Sequence, residues 1–148
     1  MFIERLPITV VRPFNYTGVG QSGSFVVPKI IEHLSNRRNT IRLGNIDVKR
    51  DFSDVRDVAL AYFKLIESAQ PCSIVNIASG TAVSVREIFE IAAELCGHFP
   101  KIEVDQKLVR KNEVPFQAGD TTKLRLITSF VNRIPIRDTL KWMLEKSS

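Results

Sequence analysis

Three glycines near the start of the chain have the spacing of a phosphate-binding loop. Gly18, Gly20 and Gly23 form a G-x-G-x-x-G pattern between an apolar segment and a helical one, where a dinucleotide fingerprint would lie. In that fingerprint the first glycine directly follows the strand, so that the pyrophosphate reaches the helix N-terminus. Here residues 12–17 intervene. The pattern favours a loop beside a substrate, with a dinucleotide-binding turn as the alternative.

Arginine and asparagine side chains supply a second possible chemistry, the binding of a nucleotide diphosphate. Arg50 ends a short extended segment beside Asp51, and Arg110 lies in a polar loop. A guanidinium matches phosphate oxygens with two parallel hydrogen bonds. Asn15 follows the first apolar segment, and ligands bind at the carboxyl ends of strands in open α/β sheets. An ordinary surface or capping role explains each residue equally well when it is taken alone.

The usual signatures of a self-sufficient active site are missing from the sequence. It contains no Tyr-x-x-x-Lys pair, no nucleophile elbow and no metal-ligand spacing among its two histidines and two cysteines. Cys72 and Cys96 form neither a CxxC motif nor a disulfide framework, which suits a reducing cytoplasm. The sequence therefore predicts no catalytic residue and no metal site.

The elements that must position these residues alternate between strands and helices. Strands are predicted at 8–11, 41–44, 48–52, 73–78 and 101–105, and helices at 25–35, 53–69, 85–96, 120–127 and 136–146. Ser24 is the expected cap of the first helix, and Ser84 forms a capping box with Glu87 at the third. Residues 106–119 are predicted to be a polar loop. This order indicates an α/β fold with a mainly parallel sheet, whose first strand, 8–11, is buried.

Length and charge narrow the function classes. A chain of 148 residues, 44% of them hydrophobic, is of one-domain size. It has no long uncharged apolar stretch and no secretory signal, so we expect a soluble, cytoplasmic protein without a membrane partner. The net charge of +5 is spread evenly and no basic run exceeds two residues, which argues against a nucleic-acid partner and suits an anionic small ligand.

The order of the motifs resembles the second half of extended short-chain dehydrogenases/reductases that act on nucleotide sugars. The similar segments are RPFNYTG (12–18), SFVVPKI (24–30), LGNIDVKRDFSDVRDVA (43–59), IVNIASG (74–80) and RKNEVP (110–115). Among these enzymes the chain looks most like GDP-4-keto-6-deoxy-D-mannose reductases, with GDP-mannose 4,6-dehydratases second. Other nucleotide-sugar epimerases and dehydratases are a further alternative, and a stand-alone nucleotide-binding module without catalysis is an alternative of another class.

The resemblance implies that residues 1–148 form the C-terminal, substrate-binding portion of such an enzyme. This portion would contain part of a Rossmann-like parallel sheet and a small α/β substrate domain, while the NAD(P)-binding portion with the catalytic tyrosine would be absent from the chain. NAD or NADP would serve the full-length enzyme, and we expect the chain alone to bind no cofactor tightly and to be inactive. Because its sheet would be incomplete, we expect a homo-oligomer or a domain-swapped association.

The resemblance also implies which residues bind the ligands. Those implied to contact the GDP-sugar are Asn15, Phe25, Val26, Lys29, Leu43, Gly44, Arg50, Arg110 and Glu113, and those implied to contact the cofactor are Pro13 and Asn15. Within this set Arg50 and Arg110 would hold the diphosphate, and Glu113 would bind the base or the ribose. Leu43 and Gly44 would hold the guanine.

Overall fold

The structure, a computed structural model, describes residues 8–68, 73–109 and 111–147. Within them the strands are β1 (Val10–Pro13), β2 (Asn15–Thr17), β3 (Thr40–Leu43), β4 (Lys49–Asp54), β5 (Ile74–Ile77), β6 (Ala82–Ser84), β7 (Lys101–Val104) and β8 (Phe116–Gln117). The helices are α1 (Val26–Ser35), α2 (Val55–Ser68), α3 (Val85–Cys96), α4 (Thr122–Thr128) and α5 (Ile136–Lys146), and a 3-10 turn spans Gln106–Leu108. This alternation confirms the predicted α/β class.

The described strands form three small sheets in which parallel pairing dominates. β1 pairs with β5 and β3 with β7, both in parallel. β4 has parallel partners in β2 and β8 and an antiparallel partner in β6. The register places Asn15 beside Phe52, and Arg50 beside Gln117. β4 is thus the strand around which the surrounding segments are arranged.

Apolar side chains form two separate clusters. The larger cluster lies among α1, α3, α5 and β3 and includes the fully buried Ile30 and Ile88. The smaller cluster joins α2, β5 and α4 through Val58, Ile77 and Leu124. Full burial of side chains of this size contributes about 1.5–3 kcal/mol each, so both clusters stabilise the helices that pack on them. β4 contacts α5 of the larger cluster and α2 of the smaller cluster.

The capping of two helices shows where local sequence signals succeed and fail. At α3 the Glu87 N–H donates to the Ser84 hydroxyl at 3.0 Å, and the Ser84 N–H donates to the Glu87 carboxylate at 2.7 Å, so the predicted capping box is confirmed. The predicted Ser24 cap is wrong. Phe25 occupies the N-cap of α1 without a side-chain bond, because the Ser24 hydroxyl lies 3.0 Å from that of Ser22.

Three short strands differ from the prediction. The first strand begins at Val10 and is not buried: the Val10 residue is 48% exposed, because among the described residues β1 pairs with β5 alone. Residues 15–17 and 116–117, predicted as loops, form β2 and β8 against β4. Both strands are short and contain polar residues, so their sequences show no alternation of apolar residues that would predict a strand. They are extended because they pair with β4.

Asp54 joins the end of β4 to α5. Its buried carboxylate accepts hydrogen bonds from the Arg56 guanidinium at 2.7 and 2.9 Å and from the Thr139 hydroxyl at 2.8 Å. The Arg56 guanidinium also lies 3.9 Å from the centre of the Trp142 ring. Burial alone would raise the pKa of Asp54, but the hydrogen bonds from Arg56 and Thr139 outweigh it and lower the pKa below its usual 3.8.

Replacing Asp54 with asparagine should lower the free energy of unfolding at pH 7 by about 2–3 kcal/mol, because charge-assisted hydrogen bonds are lost. A carboxyl with a lowered folded-state pKa stabilises the fold above its unfolded pKa, and that contribution is lost as the pH falls through the folded value. The difference in stability between the wild type and D54N should therefore shrink progressively as the pH falls below about 4. Urea unfolding across pH measures this. Asp47→Asn, whose side chain is 72% exposed, is the control, and a pH-independent gap would contradict the account.

Candidate functional site

An open cleft of about 820 Å³ lies between the start of α1, the end of β3 and one face of β4. Eight residues implied by the resemblance to bind the GDP-sugar line it, namely Asn15, Phe25, Val26, Lys29, Leu43, Gly44, Arg50 and Glu113. Arg110 lies outside the described residues. Pro13, implied for the cofactor, is exposed at the end of β1 and does not line the cleft. The fold thus brings eight residues from distant parts of the chain to one surface.

The charged centre of the cleft is a pair formed by Arg50 and Glu113. Arg50 Nη2 lies 3.5 Å from Glu113 Oε1, and each side chain is 17% exposed. β8 holds the segment that carries Glu113 against β4, and the Lys49 N–H donates to the Pro115 carbonyl at 2.9 Å. Because most of both side chains is withdrawn from water, their charges are screened less than those of a surface pair.

One oxygen of Glu113 has an unused capacity to accept a hydrogen bond. Glu113 Oε2 is buried and has no partner among the described residues. Leaving a buried carboxylate oxygen without a donor costs about 1–3 kcal/mol or more. A ligand O–H or N–H group in the cleft would remove that cost once the Glu113 side chain turned this oxygen toward it.

The opposite end of the cleft is shaped by a close approach of two backbones. A Cβ at Gly44 would lie 2.7 Å from the carbonyl oxygen of Leu108. Only glycine therefore lets the 3-10 turn lie against the end of β3. Beside it, Lys29 Nζ donates to the Arg42 carbonyl at 2.5 Å, which holds a cationic group of α1 next to Leu43. This end combines apolar and backbone surface with one positive charge.

Asn15 is held in place by the backbone of β4. Its side-chain N–H donates to the Asp51 carbonyl at 3.1 Å, and its residue pairs with Phe52 in the β2–β4 ladder. The amide oxygen of Asn15 takes part in no hydrogen bond found among the described residues. The exposed Asn15 therefore presents an oriented acceptor at the cleft wall.

The glycine pattern does not form a cradle for a pyrophosphate. β2, which pairs with β4, stands between β1 and Gly18, and a Cβ at Gly18 would lie 2.5 Å from Val55 Cγ1. At Gly23 the nearest group is the carboxylate of Glu32, 2.8 Å from the position of a Cβ. A packed first glycine and an anionic neighbour do not suit a diphosphate, so the dinucleotide interpretation of this loop is not supported. Gln21 of the loop lines the cleft instead.

The cleft also contains residues that sequence reasoning missed. Phe52, Val85 and Leu108 line it together with Gln21. Phe52 could have been found, because it follows Arg50 by two positions in a strand and side chains two apart share a face. Leu108 could not, because it reaches the cleft only through the 3-10 turn that packs on Gly44.

The ranges 8–68, 73–109 and 111–147 contain neither a candidate metal site nor a candidate membrane span. No three side chains of His, Cys, Asp or Glu there are grouped so that they could hold a metal ion. None of the helices in those ranges has the length and apolar character needed to span a membrane.

Comparison with curated proteins shows similarity to enzymes of GDP-sugars. The chain is 38% identical to a GDP-6-deoxy-D-talose 4-dehydrogenase from Aggregatibacter actinomycetemcomitans, over 79% of this chain and 40% of that protein. It is 31% identical to a GDP-6-deoxy-D-mannose reductase from Pseudomonas aeruginosa, over 93% of this chain and 47% of that protein. The chain thus spans less than half the length of these relatives.

Comparison with solved structures and family models leads to the same group. The structure of RMD from Pseudomonas aeruginosa complexed with NADPH superposes with a TM-score of 0.89 at 30% identity, covering 95% of this chain and 48% of that one. The family model for GDP-mannose 4,6 dehydratase matches residues 3–143. Because that match covers nearly the whole chain, this protein belongs to the GDP-mannose 4,6 dehydratase family, within the extended short-chain dehydrogenases/reductases.

Proposed function

We propose that this chain is the GDP-sugar-binding portion of an NAD(P)-dependent enzyme that acts on a 4-keto-6-deoxy sugar nucleotide, with reduction as the first candidate reaction. The observation that carries the proposal is the joint placement of Arg50, Glu113, Lys29 and Gly44 in one cleft. Two of its curated relatives are a dehydrogenase and a reductase of GDP-6-deoxy sugars. The match to the GDP-mannose 4,6 dehydratase model makes dehydration the second candidate.

The chemistry of the cleft suits the parts of a nucleoside diphosphate. The Arg50 guanidinium would donate to the diphosphate oxygens. Glu113 Oε2, which has no partner among the residues that the structure describes, would turn toward the cleft and accept from a ribose hydroxyl or from an N–H of the base. Gly44 and the backbone of Leu43, whose side chain is buried in the core at 2% exposure, would contact the flat face of guanine, with Lys29 beside its oxygen and nitrogen acceptors. These are binding and orienting roles, so the chain's contribution to catalysis would be to fix the sugar relative to a reacting centre.

The cofactor would be bound outside this chain. The glycine loop does not suit a pyrophosphate, because Gly18 is packed against Val55 and Gly23 lies beside the Glu32 carboxylate. The related RMD has a structure in complex with NADPH. NAD(P) would supply the hydride chemistry, and no step of it is assigned to residues of this chain. We accordingly propose that residues 1–148 lack the NAD(P)-binding portion and are inactive alone, and that the protein works in the cytoplasm.

Calorimetric titration of the 148-residue chain with GDP, UDP and inorganic pyrophosphate tests this assignment. GDP should bind with a measurable heat at submillimolar concentration and more tightly than UDP, because the cleft offers partners for the base as well as for the diphosphate. If pyrophosphate bound as tightly as GDP, the proposed contacts between the cleft and the guanine base would be contradicted. If none of the three ligands bound at millimolar concentration, the proposal would be contradicted.

The exposed apolar surface around β1 and β5 supports association of the chain. Ile8, Val10 and Ile74 on or beside this strand pair are 48–57% exposed. Among the described residues these two strands pair only with each other, which leaves ladder groups open to another chain. We expect sedimentation velocity to show dimers or larger species at micromolar concentration. A strictly monomeric chain over that range would contradict this expectation.

A further inference from the structure

Asp51 is a fully buried carboxylate that gathers two separate loops. It is 0% exposed. Its Oδ1 accepts from the N–H and the hydroxyl of Ser79, both at 2.7 Å. Its Oδ2 accepts from the N–H of Gly80 at 2.9 Å and from the N–H of Gly119 at 3.0 Å. All four bonds are to an anionic acceptor, and such bonds are about twice as strong as neutral ones.

The position of Asp51 on β4 connects these loops to the cleft. Side chains alternate along a strand, so Arg50 and Phe52 line the cleft while Asp51 points to the opposite face. The carbonyl oxygen of Asp51 accepts from the Asn15 amide at 3.1 Å. One residue thus holds a cleft side chain through its backbone and two distant loops through its carboxylate.

Gly119 links the Asp51 carboxylate to the chain segment that contains Glu113. Gly119 and Glu113 both lie in the segment that follows the 3-10 turn, and β8 lies between them and pairs with Lys49 and Arg50. The Gly119 N–H is anchored to Asp51, and Glu113 reaches Arg50 at 3.5 Å. The segment is therefore tied to β4 at both ends and along β8, in a closed ring of contacts.

We infer that Asp51 is a positioning residue of the cleft: by anchoring Gly119 it fixes the segment that places Glu113 against Arg50. The ligand-affinity part of this inference rests on the proposed function, and the structural part does not. Asparagine at this position would offer one acceptor oxygen, and in either orientation its N–H₂ group would face at least one backbone N–H donor, that of Ser79 or those of Gly80 and Gly119. Asp51→Asn should therefore release part of the ring while changing the side-chain volume little.

Asp57 provides a matched control. It is 3% exposed, and its Oδ2 accepts from the N–H groups of Arg133 and Ile134 at 2.9 Å each. None of these three residues lines the cleft. Asp57→Asn also removes a buried charge that is bonded to backbone N–H groups, so it reports what a purely structural aspartate does to the chain.

Amide hydrogen exchange followed by mass spectrometry, with the GDP dissociation constant measured in parallel, tests the inference on the full 148-residue chain. Both variants are compared at a temperature where circular dichroism shows them folded. In D51N the exchange of residues 111–119 should rise at least tenfold, and the GDP dissociation constant should rise at least tenfold. In D57N the faster exchange should be confined to the residues around 133–134, with GDP affinity within twofold of the wild type.

The outcomes separate the two proposals. If the folded D51N exchanges residues 111–119 within twofold of the wild type, or if D57N has the same effect on that segment, Asp51 is not a positioning residue. If the wild type binds no GDP, the proposed function fails and the exchange comparison still decides the role of Asp51. Should D51N not fold, NMR-detected exchange of the wild type decides: the Gly119 N–H, bonded to the Asp51 carboxylate, should be among the most slowly exchanging amides of 111–119, and exchange as fast as that of the exposed amides around it would overturn the inference.

Discussion

Replacing Gly119 with alanine should lower the free energy of unfolding by roughly 3 kcal/mol or more, because the added methyl group has no room. A Cβ at this position would overlap the Ala78 side chain and lie 3.1 Å from the ring of Phe14. The Gly119 N–H is also bonded to the buried Asp51, so the backbone cannot move away without losing that bond. Neither neighbour is the flexible end of a long side chain.

Thermal and urea unfolding of G119A should be compared with Gly97→Ala. Gly97 has a positive φ of 63° and open space where its Cβ would be, so its substitution costs only the left-handed backbone strain, about 1–2 kcal/mol. G119A should be clearly the less stable of the two variants. A G119A protein as stable as G97A would show that the segment after β8 packs differently from the arrangement described.

Replacing Arg50 with alanine should weaken GDP binding by roughly ten- to a hundredfold, because charge-assisted hydrogen bonds contribute about 1.5–3 kcal/mol each. The same substitution removes the cation that pairs with Glu113 among the described residues and so also lowers the stability of the chain. The double variant R50A/E113Q removes the stranded charge. We expect it to recover stability relative to R50A without recovering affinity.

Arg86→Ala is the control for charge removal outside the cleft. Arg86 pairs with Asp47 at 2.9 Å on the surface, where both side chains are about half exposed or more, and surface pairs contribute little. Calorimetry should give R86A the GDP affinity of the wild type. An R50A variant that binds GDP as tightly as R86A would remove Arg50 from the binding site.

The elements that could be predicted from the sequence are those specified by a few neighbouring residues. The capping box of Ser84 and Glu87 and the helices with apolar residues every three to four positions lie close to where they were predicted, because each signal depends on a few neighbouring residues. β2 and β8 were missed, because they are extended only through pairing with β4. The exposure of Val10 was missed as well, because an apolar strand looks the same in sequence whether or not it is covered.

The residues of the cleft could be predicted mainly from the order of the sequence motifs that contain them. Arg50 and Glu113 could be singled out by residue type and resemblance, but not their 3.5 Å contact, which depends on how β8 pairs with β4. The role of Asp51 was hidden for the same reason. The chain places it directly beside Arg50, and only the strand geometry shows that it faces the opposite side and binds Ser79, Gly80 and Gly119.

A crystal structure of the chain with GDP tests the central claim most directly. The account predicts GDP in the cleft, with a diphosphate oxygen within hydrogen-bond distance of the Arg50 guanidinium and the base against Leu43 and Gly44. It also predicts a donor of the nucleotide within hydrogen-bond distance of Glu113 Oε2. GDP bound at another surface, or a diphosphate held by the Gly18–Gly23 loop, would contradict it.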